Sequence, residues 1–424
     1  MGLTTAPRPD ADPRRWVTDP VESGAAAGFG VYLHVPFCSH RCGYCDFATA
    51  AVGDRAASDR DALYDRYLTA LVADLRRQVA AGPAAHAPPA ADLDPAWRPV
   101  TSVFIGGGTP TLIGGERLAQ ALATIRAELD VAAGVEITVE CNPETATPGL
   151  FDALVAAGVT RISMGAQSFA PHVLATLERQ HTTGRPAQAV AQARAAGIPE
   201  VSLDLIYGTP GERDEDWAAT LEQVLAIGTD HVSAYALTVH DSTPMGRAVD
   251  RGTIPAPDED VQRARFEVAR DVLGRAGFDH YEVANWARIA APADGPPVPL
   301  RSRHNLLYWR HGDYLGVGVG AHAHLAGRRS WTTRSTDRFL AAVESGQDPT
   351  AGDEILTDDE RATERLFLGL RVREGLHPGD VPPIDPVAYE EALGSGLVET
   401  SCGRLRCTDE GWFLLDDAVA RLRG

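Results

Sequence analysis

The chain contains no lysine: all 39 of its basic residues are arginines, set against 58 acidic ones for a formal net charge of -19. A surface this negative repels phosphate backbones and anionic lipid, so broad nucleic-acid or membrane-surface binding is excluded unless a local basic patch offsets it. Cysteine is scarce as well, six in 424 residues, too few for a disulfide framework. No window approaches the run of about 18 apolar residues that a transmembrane helix needs. The opening MGLTTAPRPDADPRRW has neither the apolar core nor the cleavage site of a secretory signal. These absences predict a cytoplasmic protein with reduced thiols and no transmembrane segment. With 44% hydrophobic and 23% charged residues the composition is that of a folded globular chain, and its length allows two or three domains with cores that need no staples.

The order of segments predicts an α/β fold. Short β-branched runs at Val31 to Val35, Thr101 to Ile105, Val135 to Glu140, Thr160 to Met164, Val201 to Ile206 and His231 to Leu237 alternate with helical stretches. In the first helix Leu63, Tyr64, Tyr67, Leu68, Leu71, Val72 and Leu75 recur at three- and four-residue spacing and share one face. Six such units imply a parallel sheet covered by helices, either doubly wound or a six-unit barrel, with the chemistry at the carboxyl ends of the strands. Residues 1–28 are a Pro- and Ala-rich leader. From residue 353 the texture changes to a helix at Arg361 to Arg371, a short helix at Pro386 to Gly394, a hairpin in GLVETSCGRLRCT and a closing helix at Trp412 to Arg423. That pattern predicts a small winged-helix-like domain, as a packing lid or as a DNA reader, the latter disfavoured by the net charge.

The strongest chemical signal follows the first strand. Cys38, Cys42 and Cys45 form a CxxxCxxC run, and three thiolates at this spacing can hold three irons of a 4Fe-4S cubane while leaving the fourth iron open to a ligand. A zinc site completed by His34 or His40, or plain buried thiols, are the other readings of the same residues. Glu140, Gln167 and Asp204 end the third, fourth and fifth strands, so their polar tips share one rim. Arg179, expected at the end of the helix after the fourth strand, suits a carboxylate. Cys141 reads as core filler pointing away from that rim, and Cys402 and Cys407 flank the hairpin without histidines to complete a metal site.

Taken together, YLHVPFC (Tyr32 to Cys38), GGGTP (Gly106 to Pro110), VECNP (Val139 to Pro143), SMGAQSF (Ser163 to Phe169), DLIYGTP (Asp204 to Pro210) and HNLLYW (His304 to Trp309) resemble the radical S-adenosylmethionine superfamily. Within it the chain is similar to the oxygen-independent coproporphyrinogen III oxidase-like group, from about Val31 to the end. The resemblance implies a partial (β/α)6 radical-SAM barrel over 29–285, a haem-associated segment over 286–352 and the smaller C-terminal helical, winged-helix-like domain over 353–424. It implies a 4Fe-4S cluster on Cys38, Cys42 and Cys45, and S-adenosylmethionine contacts at Tyr32, Gly107, Gly108, Thr109, Glu140, Gln167, Arg179 and Asp204. True oxidases carry a further cysteine two residues after the third, where this chain has Phe47. That departure, and the complete HNxxYW motif, imply the haem-chaperone subgroup, which binds haem and passes it to an acceptor haemoprotein, such as a respiratory one. The alternative is a radical decarboxylase in porphyrin biosynthesis; a DNA-binding regulator is a third reading.

Local composition points the same way. Between Arg301 and Arg334 lie four of the 13 histidines, His304, His311, His322 and His324, with six arginines against a single acid, Asp313. Imidazoles for iron, aromatic faces at Tyr308, Trp309, Tyr314 and Trp331, and guanidiniums for propionates are the three things that haem needs. His304, Asn305, Tyr308 and Trp309 are the expected haem contacts. No nucleic-acid partner is expected; membrane contact through the acceptor and a homodimer are left open.

Overall fold

The computed structural model describes residues 28–89, 91, 93–291 and 297–423, so all of the leader before Gly28 lies outside the described residues. Each of the six expected β-branched runs forms a strand: β1 (Phe29–Val35), β2 (Val100–Gly107), β3 (Val131–Cys141), β4 (Arg161–Gln167), β5 (Glu200–Tyr207) and β6 (His231–Ala236). They pair in parallel in the order β6-β5-β4-β3-β2-β1. A doubly wound sheet reverses its order at a switch point. Here the order is monotonic, which makes the array a partial barrel with its helices on the outside. Such strands are covered on both faces and therefore read as near-continuous apolar runs; in β1 every residue but Tyr32 is buried.

Helix α1 (Ala57–Ala81) buries Tyr64, Tyr67, Leu68, Leu71 and Leu75, while Leu63 and Val72 sit at the margin of that face. Its Tyr67 hydroxyl donates to the His34 carbonyl at 2.7 Å and pins the end of β1. Helices α2 (Gly115–Glu128), α3 (Pro148–Ala156), α4 (Arg185–Ala196), α5 (Asp214–Ile227) and α6 (Glu259–Arg275) follow the later strands.

The sheet continues past both edges of the six. Strands β7 (Phe278–Glu282), β8 (Asn285–Ala290) and β9 (Val298–Pro299) extend it antiparallel beyond β6. On the other side β10 (Asp313–Val317) pairs in parallel with β1, followed antiparallel by β11 (His322–Leu325), β12 (Arg328–Thr332) and β13 (Thr350–Ile355), which makes 13 strands in all. Between β9 and β10, helix α7 (Arg303–Trp309) carries the HNLLYW residues. Its free N-terminal amides are taken up by Glu136, which accepts from Arg303 N and His304 N at 2.9 and 3.0 Å, and by the Ser302 hydroxyl, which accepts from Asn305 N. Helix α8 (Thr336–Glu344) packs on α1.

The C-terminal part has its own core of Leu366, Leu370, Ala392, Leu405, Trp412, Ala418 and Leu422. It is built from α9 (Asp358–Gly369), α10 (Pro386–Gly394), the hairpin β14 (Val398–Ser401) and β15 (Arg404–Cys407), and α11 (Leu415–Arg423). Two boundaries differ from expectation. A capping box of Thr357 and Glu360 starts α9 three residues early, and Leu414, at φ -115° and ψ 38°, splits the closing helix into Asp409–Phe413 and α11. The hairpin turns on Cys402 and Gly403, both at positive φ, as a two-residue turn of this hand requires. Among the described residues no helix is long and apolar enough to cross a membrane.

Candidate functional site

The three cysteines stand on a loop that the backbone ties down at both ends. Phe37–Cys38 pairs in parallel with Ala50–Ala51, Val52 N donates to Cys38 O at 2.9 Å, and Thr109 N donates to Phe37 O at 2.8 Å. The glycines at the end of β2 allow this closeness: a Cβ on Gly108 would meet the Pro36 and Phe37 backbone at 2.7 Å, and one on Gly107, at φ 120°, would meet the His34 ring at 2.6 Å. The triple glycine thus serves the fit of the cysteine loop itself.

A cavity of about 450 Å³ opens beneath the loop, within the range of small-molecule sites. Cys38, Cys42 and Cys45 border it, as do Gly107, Gly108, Thr109, Glu140, Gln167, Arg179 and Asp204 from the strand ends. The expected rim residues are therefore gathered around one space. Tyr32 lies just behind it, stacked at 6.2 Å on Phe104, another residue of the cavity wall. Arg179 stands in the loop after the short helix Pro171–Thr176 rather than on a helix end. It donates to Gly165 O at 2.9 Å and reaches Cys42 Sγ at 3.7 Å, while its Nε is buried without a partner.

These residues fit a cluster better than a single ion. Among the described residues no three His, Cys, Asp or Glu side chains converge closely enough to hold one metal ion, whereas a cubane spreads its thiolates over three irons. His34 cannot complete a zinc site. Its Nε2–H donates to Ala48 O at 2.8 Å, so Nδ1 accepts from the Tyr32 hydroxyl at 3.0 Å and no lone pair is left. Burial keeps this imidazole neutral, its pKa lowered to about 4. His40 is exposed, 3.9 Å from Glu178. Burial pushes the Cys38 thiol up to about 11 in the metal-free chain, partly opposed by the Thr109 hydroxyl 3.8 Å away. Cys141 also borders the cavity, but it is buried in the core with its Sγ donating to Asn142 O at 3.3 Å.

Two carboxyls of the cavity wall are desolvated. Burial, with the Asp204 charge second, raises Glu140 to about 7, against the Gly107 amide that it accepts at 3.0 Å. Asp204 is also raised by burial, although Ser163 donates to it at 3.0 Å. Gln167 sits at φ 62°, a strained conformation for a side chain with a Cβ, at a break in the β4–β5 register. Sequence reasoning missed Tyr235 and Ser163. Tyr235 is 44% exposed and opens onto the cavity near Asp204. The alternation of inward residues along β4 and β6 was the available signal, and its phase needed the strand register.

The HNLLYW residues separate. Asn305 borders the cavity at the end away from the cysteines, together with Ser302 and Arg161. His304 is wholly buried, with Nδ1 at 2.9 Å from Ser102 Oγ and Nε2 at 2.8 Å from the Tyr308 hydroxyl, so both ring nitrogens are taken. Trp309 packs beside Tyr281, Ala287, Leu306 and Val372, with the Arg371 guanidinium 4.4 Å over its ring.

Residues 32–224 match the family described as "Radical SAM superfamily", and 356–414 match the "HemN C-terminal domain". A Mycobacterium tuberculosis H37Rv protein named "Heme chaperone HemW" is 41% identical over 396 residues, 93% of this chain and 95% of that one. The Escherichia coli K12 protein of the same name is 31% identical, over 92% of this chain and 96% of its own. A mouse protein, "Radical S-adenosyl methionine domain-containing protein 1, mitochondrial", is 31% identical over 95% of this chain and 89% of its own. Among solved structures, the coproporphyrinogen III oxidase HemN of E. coli superposes with a TM-score of 0.75 at 20% identity, covering 94% of this chain and 90% of that one. At that identity the likeness speaks for the fold.

Proposed function

Since the chain belongs to the HemW family of the radical SAM superfamily, we propose that it is a haem chaperone that binds haem and hands it to an acceptor haemoprotein, such as a respiratory one. The observation that carries this reading is the 41% identity with a protein named "Heme chaperone HemW" across nearly the whole of both chains. The radical SAM family implies a 4Fe-4S cluster and S-adenosylmethionine, and in this reading Cys38, Cys42 and Cys45 hold three of the irons. When bound, the pair supplies one-electron chemistry at the sulfonium.

The chain's own residues then have separate tasks. Gly107, Gly108 and Thr109, whose amides are taken by Glu140, Val35 and Phe37, offer backbone carbonyls to the methionine ammonium. Glu140, Gln167 and Asp204 offer acceptors and an amide at one level of the barrel, where ribose hydroxyls can be held. Arg179 offers a buried cation beside Cys42, suited to the ligand's carboxylate or to cluster charge. Tyr32 backs this wall and fixes the His34 ring. The segment from His304 to Trp309 supports the haem-associated part of the sheet: the Tyr308 ring meets Tyr314 of β10 edge-on at 4.6 Å.

The oxidase reading is weaker. Where the resemblance puts a fourth cysteine in that enzyme, this chain exposes Phe47, a side chain with no thiol. The test is a transfer experiment. Reconstituted protein is loaded with haem anaerobically, freed of excess and mixed with an apo-haemoprotein, and the acceptor's own spectrum is followed. Transfer of about one haem per loaded chain supports the reading. An acceptor that gains haem no faster from the loaded protein than from free haem would overturn it.

A further inference from the structure

The four histidines of the Arg-rich segment, His304 on α7, His311 in the turn after it and His322 and His324 on β11, differ sharply in what their rings can still do. His304 has both nitrogens hydrogen-bonded inside the barrel. His311 has Nε2 bound to Glu364 at 2.7 Å. His324 is buried, with Nδ1 at 3.1 Å from Gly312 O. His322 alone of the four is exposed, and no hydrogen bond engages its ring among the described residues.

The strand register shows what surrounds it. His322 of β11 stands opposite Trp331 of β12, with ring centroids 5.9 Å apart, and His324 stands opposite both Arg329 and Tyr314. Directly paired residues in an antiparallel sheet share a face, as do residues two apart on one strand. His322, His324, Tyr314, Arg329 and Trp331 therefore form one row. It begins at the His304–Tyr308–Tyr314 ring contacts of 4.8 and 4.6 Å and ends at His322. Glu364 of α9 covers the His324 end, where it also pairs with Arg329. The His322 end is open and lies toward the cysteine loop. Arg334, 63% exposed, donates from there to the Asp46 carbonyl, and Phe47, the next residue of that loop, is 69% exposed.

We propose that haem docks at this open end, with His322 as an axial ligand of its iron, Trp331 and Phe47 against the macrocycle and Arg334 toward a propionate. This rests on the haem-chaperone reading and assigns its docking face. The donor set fits the cargo: an accessible imidazole for iron, apolar rings for the porphyrin and an exposed guanidinium for a carboxylate. Partial desolvation against the sheet, then the charges of Arg334 and Arg329, lowers the His322 pKa, which favours the neutral imidazole that binds iron. The HNLLYW helix becomes a positioning element, since Tyr308 supports Tyr314 on the same row.

The test uses the full chain with its cluster reconstituted. Haem is titrated anaerobically into wild type, His322→Gly and Trp331→Leu, and the Soret band and the low-spin iron signal are read by absorbance and electron paramagnetic resonance. His322→Gly should bind haem at least about tenfold more weakly and lose the histidine-type signal. Added imidazole should restore that signal, and cluster iron should stay at the wild-type level. Trp331→Leu should weaken binding while keeping the signal. An unchanged signal in His322→Gly would overturn the assignment, as would a loss that imidazole does not restore. Failure of wild type to bind haem at all would instead remove the chaperone reading on which the assignment rests.

Discussion

Replacing Glu140 by Gln should stabilise the protein and weaken its ligand site at the same time. The Glu140 carboxyl is raised from 4.5 to about 7, first by burial and then by the Asp204 charge. A carboxyl whose folded pKa lies above its unfolded value binds its proton more tightly in the native state. Its contribution is therefore fully present at low pH and is lost as the pH rises from the unfolded value through the folded one. Two and a half pH units at about 1.4 kcal/mol each give about 3.5 kcal/mol, nearly all of it lost between pH 4 and pH 8. Gln can still accept from the Gly107 amide and carries no charge, so Glu140→Gln should match wild type near pH 4 and exceed it by about 3.5 kcal/mol at pH 8. The assay is urea unfolding of the metal-free chain across this range, with the barrel transition compared at equal slope. Binding of S-adenosylmethionine to the reconstituted protein should move the other way at pH 8, weakening about tenfold with the loss of a charged acceptor. A variant no more stable than wild type at pH 8 would refute the buried-charge argument, and unchanged binding would remove Glu140 from the ligand site.

Other consequences can be checked in parallel. Cys38→Ala, Cys42→Ala and Cys45→Ala should each abolish a content of about four irons and four sulfides per chain, whereas Cys402→Ala, at an exposed turn, should leave it intact; equal iron in all four would contradict the cluster assignment. His304→Leu should cost about 2 to 4 kcal/mol, because it orphans both Ser102 Oγ and the Tyr308 hydroxyl; a neutral effect on denaturation would show that those bonds do not hold the helix. Arg179→Ala should lower S-adenosylmethionine affinity in equilibrium dialysis, and Arg179→Lys should recover only part of it, since an ammonium cannot reproduce the guanidinium fork. Trp412→Ala should cost about 3 to 5 kcal/mol in the C-terminal core, read as early protease cleavage within 356–414, while cluster content is kept.

The alternating parallel α/β layout was legible because its physics is local, whereas the choice of barrel over doubly wound sheet came from the resemblance. Strands covered on both faces must be apolar throughout, so the six runs stand out, and the rule that parallel strands present their carboxyl ends at one rim brings Glu140, Gln167 and Asp204 together from sequence alone. The cysteine spacing was legible for the same reason, as eight residues suffice to state it. What the sequence hid depends on pairing between distant segments. Tyr235 and Ser163 enter the cavity through the phase of their strands, which neighbouring strands decide. The sealing of His304 depends on Ser102, about two hundred residues earlier in the chain, and composition could count four histidines but not tell which one keeps an open ring. The two roles of the GGGTP glycines, approach to a ligand and approach to the cysteine loop, look alike in sequence and separate only when a Cβ is placed on them.

The most direct test of the central claim sets the two uses of this fold against each other in one anaerobic preparation. Protein carrying its cluster and S-adenosylmethionine is incubated with a reductant and either haem or coproporphyrinogen III, and the Soret band and carbon dioxide release are recorded. The chaperone account predicts a bound, transferable haem at micromolar concentration and no carbon dioxide above the cluster-free control. Carbon dioxide released from coproporphyrinogen III by a protein that binds no haem would contradict it.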